Sequence, residues 1–165
     1  MSLTIVDFNN FWSPSGGGVR RYHLEKMNFY RYETDAVYVF VMPDSRTYTE
    51  QLTDSLIIEH VKAFKFPGKW EYRMLWKSSQ IAPILKRHKP DIIEVGSPYI
   101  LPTVVRKNAK KIVPRAKLLG FWHADFPITY VERPIAEKFG KKLGKLASQV
   151  AFAYARYEFK GFTGI

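Results

Sequence analysis

The chain has 165 residues, 46% of them apolar and 25% charged, which suits one folded domain over 1–165 and is far from a disordered composition. It has no cysteine, which excludes a disulfide framework and a thiolate metal site. The net charge of +11 is confined to two stretches: six basic residues and no acid between Arg106 and Lys117, and seven basic residues against Glu137 and Glu158 between Arg133 and Lys160. Such concentration points to an anionic partner (phospholipid, nucleic acid or a phosphorylated substrate) or to two solvated helix faces.

The opening residues Met1 to Asn10 lack the basic region and long apolar stretch of a secretory signal. No run of about 18 apolar residues is present to span a bilayer.

Leu3 to Phe8 reads as a first strand, followed by a loop through Ser15 and a helix from about Gly17 to Tyr32. Ala36 to Met42 and Leu56 to Val61 are further strand-like runs. Helical material follows between Trp70 and His88, with Pro83 expected to split or kink it. Then come a strand at Asp91 to Val95, a helix near Tyr99 to Asn108 and a strand at Lys117 to Trp122. Apolar strands alternating with helices predict an α/β fold, a Rossmann-like and mostly parallel sheet with helices on both faces.

The last segment has the clearest helical period. Ile135, Phe139, Leu143, Leu146, Val150, Ala153 and Tyr157 recur at steps of three and four and form one stripe. Lys138, Lys141, Lys142 and Lys145 fall together on the other side. Two readings stay open: a core-packing helix with a solvated basic face, or a basic face held against anionic lipid.

In an open parallel sheet, ligands bind beyond the carboxyl ends of the strands. Three segments are expected there. Ser13 to His23 carries Gly16, Gly17 and Gly18 and then Arg20 and Arg21. Glycines allow close backbone approach, and the helix start offers free N–H groups to an anion. Arginines in that first turn oppose the macrodipole unless a phosphate or carboxylate sits nearby, or unless they point outward. The run lacks both the dinucleotide and the Walker A pattern, which argues against a dehydrogenase or P-loop NTPase. Glu94 to Pro102 offers Glu94 and Ser97 as contacts to substrate hydroxyls, although Ser97 as a helix cap and Pro98 at the first helical position explain the segment equally well. Gly120 to Pro127 brings His123 and Asp125: a hydrogen-bonding or proton-exchanging imidazole and a candidate base, or ordinary loop residues. The four histidines are far apart and make no metal-binding pair, so no metal and no cofactor are expected.

Taken in order, the triple glycine with Val19-Arg20-Arg21-Tyr22, the run Lys89 to Glu94 with Ser97-Pro98-Tyr99, and Phe121-Trp122-His123 resemble the amino-terminal domain of retaining family 4 glycosyltransferases of the GT-B fold. The resemblance spans nearly the whole chain. It implies an acceptor-side half-enzyme, with a nucleotide-sugar donor held by a second, carboxyl-terminal domain that residues 1–165 do not include. By that resemblance His123 lies beside the transferred sugar as the catalytic candidate. Gly16 to Gly18, with Arg20 and Arg21, approach the donor phosphate and the acceptor, a sugar or a lipid-linked sugar. Several members reach lipid-linked acceptors through basic helices on this half. The expectations that follow are a cytoplasmic protein, peripheral on the inner face of a membrane, and negligible turnover by 1–165 alone. The competing expectation is a stand-alone, non-catalytic module docking anionic lipid, polysaccharide or a partner protein. Nucleic acid fits poorly, because the aromatic residues sit inside apolar runs rather than among the basic clusters.

Overall fold

The structure, a computed structural model, describes residues 2–12, 17–65, 72–122 and 127–164. The fold is α/β. Its main sheet has six strands: β1 (Thr4–Phe8), β2 (Val37–Asp44), β3 (Tyr48–Gln51), β4 (Leu56–Lys62), β7 (Ile92–Val95) and β8 (Lys117–Gly120), in the order β3-β4-β2-β1-β7-β8. All neighbours run parallel except β3, which pairs antiparallel with β4 at the edge. A separate antiparallel pair, β5 (Phe64–Lys65) and β6 (Arg73–Met74), follows β4.

Side-chain alternation divides the core into two layers. Ile5, Tyr38, Phe40 and Leu56 face α1 (Gly18–Tyr32), which contributes Met27 and Tyr30. Val6, Phe8, Val39, Val41, Ile93 and Val95 face the other way, against Ile81, Ile84 and Leu85 of α2 (Ser78–His88) and Val105 and Ala109 of α3 (Leu101–Ile112). Both faces of the central strands are therefore dry, which is why these strands read as nearly continuous apolar runs.

Four sequence expectations need correction. Residues 70–77 are not helical where described: Arg73–Met74 is a strand, α2 begins at Ser78, and it runs unbroken through Pro83. Ser97 does not cap α3, and Pro98 is not its first residue. The helix starts at Leu101 with Pro102 in its first turn, after Tyr99 and Ile100 adopt positive φ values of 73° and 53°. Beyond β8, which stops at Gly120, the long helix is divided into a π-helical segment (Pro127–Glu132), α4 (Arg133–Phe139) and α5 (Lys141–Glu158), broken at Gly140 with φ +93°.

The fourth correction concerns which face of that helix is buried. The buried positions of α5 are Gly144, Ser148, Ala155 and Glu158. The apolar stripe points outward instead: Leu143, Leu146, Val150 and Tyr157 are 52%, 57%, 64% and 57% exposed, and Phe139 is exposed as well. Small residues explain the reversal. A Cβ at Gly144 would lie 2.7 Å from the Ala136 side chain and 2.8 Å from the Glu132 carbonyl, so only glycine lets the two helical segments approach this closely. At its far end α5 is tied to α3 through Glu158, which accepts a bond from the Thr103 hydroxyl at 2.8 Å.

Candidate ligand edge of the sheet

The parallel strands run away from β1 in both directions. The chain passes from β1 to β2 and β4, then returns to the other side of β1 for β7 and β8. The order reverses between β1 and β7, and the crevice outside their carboxyl ends is where such sheets hold ligands. Asn9 and Asn10 leave β1 at this point, and Gly96 and Ser97 leave β7. Gly96 N–H donates to the Phe8 carbonyl at 3.0 Å. The Ser97 hydroxyl accepts from Asn10 N–H at 2.7 Å and donates to Asn9 Oδ1 at 2.9 Å. Ser97 is fully buried, so its hydroxyl pins the two strand exits together.

Above this pin lies the start of α1. Gly17 and Gly18 are exposed, and a Cβ at either would meet nothing within 4 Å. Among the described residues no side chain caps the helix, and no acid sits in its first turn. Among the described residues, no side chain pairs with its free N–H groups or partial positive end. The two arginines diverge. Arg20 is half-buried, its guanidinium 5.8 Å from the Trp12 ring centre, whereas Arg21 reaches out toward Glu25 at 4.0 Å. On the far side, Phe121 stacks on Tyr22 at 4.7 Å between ring centres. This contact draws the exit of β8 against α1. Glu94, Leu119, Gly120, Phe121 and Gly164 line a cavity of about 270 Å³ there. Gly16, His123 and Asp125 lie outside the described residues.

Beneath α1 the sheet carries a buried ionic cluster that sequence reasoning missed. Asp7 and Glu94 are register partners on β1 and β7, so both carboxylates emerge on the α1 face. Lys26 is inserted between them, 2.8 Å from Asp7 and in direct contact with Glu94. The Tyr38 hydroxyl donates to Asp7 at 2.7 Å, and His23 Nδ1 lies 3.5 Å from the same oxygen. The other ring nitrogen of His23 contacts the Asn9 side chain, which links the cluster to Ser97. Burial opposes charge on Asp7, but Lys26 and His23 outweigh it and hold its carboxyl below the ordinary value. Burial, reinforced by the Asp7 charge, pushes Glu94 up. Burial disfavours the Lys26 ammonium, yet the two carboxylates win and raise its pKa. Glu94 is thus committed to Lys26, and a substrate would compete with that ion pair. The available signal was an aspartate inside an otherwise apolar strand, which requires a buried partner.

Lys138, Lys141, Lys142 and Lys145 are all exposed, and they lie on α4 and α5 rather than on one helix. Among the described residues no cluster of histidine, aspartate and glutamate is arranged to hold a metal ion, and no helix is long and apolar enough to cross a membrane. A depression of about 820 Å³ lies at the opposite edge of the sheet between Thr34 and Asp54. Strand order, not size, selects the carboxyl edge. No protein-family profile matches this sequence, and no curated protein matches it.

Proposed function

We propose that this domain is the acceptor-side half of a sugar-transferring enzyme, with the donor diphosphate approaching the start of α1. The observation that carries the reading is the amino end of α1, uncapped by any described side chain and beginning with Gly17 and Gly18, at the point where the strand order reverses. The resemblance of the glycine, Ser97-Pro98-Tyr99 and Phe121-Trp122-His123 segments to retaining family 4 glycosyltransferases supports the chemistry. His123 would act beside the transferred sugar. Transfer with retention places charge on the leaving diphosphate, and free helix N–H groups are suited to receive part of it.

The exposed stripe of α5 supports docking to a membrane surface. Leu143, Leu146, Val150 and Tyr157 form an apolar strip, and Lys142, Lys145 and Arg156 flank it. An anionic bilayer satisfies both, because it accepts the apolar chains and neutralises the flanking cations. The protein would then act as a peripheral enzyme on the inner face of the membrane.

Titration with UDP-glucose and GDP-mannose, each followed by calorimetry, tests the donor contact. Gly18→Leu adds bulk into open space, so the melting temperature should hold while nucleotide-sugar affinity falls about tenfold or more. Unchanged affinity in this variant, or no binding of either donor to the parent, contradicts the reading.

A further inference from the structure

A second cavity, about 340 Å³, opens at the same carboxyl edge, between the end of β2 and the β5–β6 pair. Its walls include Trp12, Met42, Asp44, Ser45, Lys65 and Arg73. The β5–β6 pair is fastened over it at two points: Ala63 N–H donates to the Asp44 carbonyl at 2.9 Å, and Leu75 N–H donates to Asn10 Oδ1 at 2.8 Å. The cavity is thus built on the strand exits of the candidate site, beside the amino end of α1.

Its charges are arranged against folding preference. Lys65 and Arg73 are direct register partners on the two short strands, and like charges in that position repel. Arg73 is braced by donating to the Ala63 carbonyl at 3.0 Å. Among the described residues the acid in the lining, Asp44, is already occupied by His60 at 2.8 Å and by Ser45. An anion entering here relieves the cation repulsion. The Trp12 indole, packed edge-on against Phe40 at 5.3 Å, offers a rigid apolar wall for a sugar ring, and the Ser45 hydroxyl oxygen can accept from a sugar hydroxyl.

We infer that this cavity is a binding site for a sugar carrying a phosphate monoester, its phosphate held by Lys65 and Arg73 and its ring against Trp12. A monoester carries a charge of about −1.5 to −2 at neutral pH, which matches two cations better than a phosphodiester with a single charge. A free sugar phosphate is a monoester, whereas a lipid-linked sugar phosphate is a diester. The inference therefore favours a free sugar phosphate at this position. Its use as an acceptor rests on the function proposed above; its binding does not.

Calorimetric titration of the chain with glucose 6-phosphate, inorganic phosphate, glucose and the methyl phosphodiester of glucose tests the assignment. Glucose 6-phosphate should bind at least tenfold more tightly than the other three. Lys65→Gln, at an exposed position that folding tolerates, should weaken it at least tenfold, as should Arg73→Gln, while Lys111→Gln on α3 leaves it unchanged. Equal affinity for inorganic phosphate overturns the sugar contact, and equal affinity for the diester overturns the monoester. Binding that ignores Lys65→Gln and Arg73→Gln overturns the site. Failure here, with nucleotide-sugar binding intact, removes the acceptor class and leaves the donor assignment standing.

Discussion

At the scale of single residues, the most consequential side chain is Lys26. It neutralises two carboxylates, Asp7 and Glu94, that adjacent strands force onto the same buried face. Lys26→Met should cost about 3–5 kcal/mol at pH 7, because it leaves both carboxylates buried without a cation. The sign of the pH dependence follows. Without Lys26, burial raises both folded-state carboxyl pKa values above their unfolded values, so the deficit is largest above the raised values and shrinks as pH falls through them. Urea unfolding of parent and variant at pH 7 and pH 4.5 checks this; a deficit that grows on acidification would contradict it. The sequence announced the problem through Asp7 in an apolar strand, but not the answer. His23 and Lys26 look like ordinary polar positions of α1 until helix and sheet are docked. Ser97 shows the converse: it reads as a helix cap or substrate contact, yet its hydroxyl is spent joining the exits of β1 and β7.

At the scale of elements, the parallel strands were legible because burial on both faces leaves unbroken apolar runs. The edge strand Tyr48–Gln51 was not, since all four of its residues are exposed and carry no apolar signal. Nor was the β5–β6 pair, in which two residues per strand are too few for any period to register. The final helix is the instructive case. Its apolar period is real, but period alone cannot say which face meets the protein. The contact is made by Gly144, Ser148 and Ala155, small residues that permit close backbone approach and contribute little hydrophobicity to a sequence pattern. The stripe is left outside, where the membrane docking proposed above would cover it. Co-sedimentation with phosphatidylglycerol vesicles should exceed that with phosphatidylcholine vesicles. Leu146→Gln combined with Val150→Gln should reduce it about tenfold while leaving every lysine in place. Retention undiminished by the pair, or no preference for anionic vesicles, would contradict docking by this face.

At the scale of the whole molecule, the organising feature is the reversal of strand order between β1 and β7. It gathers the start of α1, the Asn9–Ser97 pin, the exit of β8 and the Trp12 cavity along one edge, while a depression of about 820 Å³ lies at the other. The glycine run and the strand exits placed this edge in the sequence, because turn chemistry is local. The cavity was hidden, because Trp12, Asp44, Lys65 and Arg73 come from four separate segments that only the folded sheet unites. Ligand chemistry is proposed to belong to the carboxyl edge. Amide ¹H–¹⁵N correlation spectra of the labelled chain, titrated with UDP-glucose, decide this. Perturbed resonances should cluster at Gly17, Gly18, Arg20, Gly96, Ser97, Gly120 and Phe121. Perturbations centred on Thr34, Asp54 and Ser55, or none at a saturating concentration of the nucleotide sugar, would contradict it.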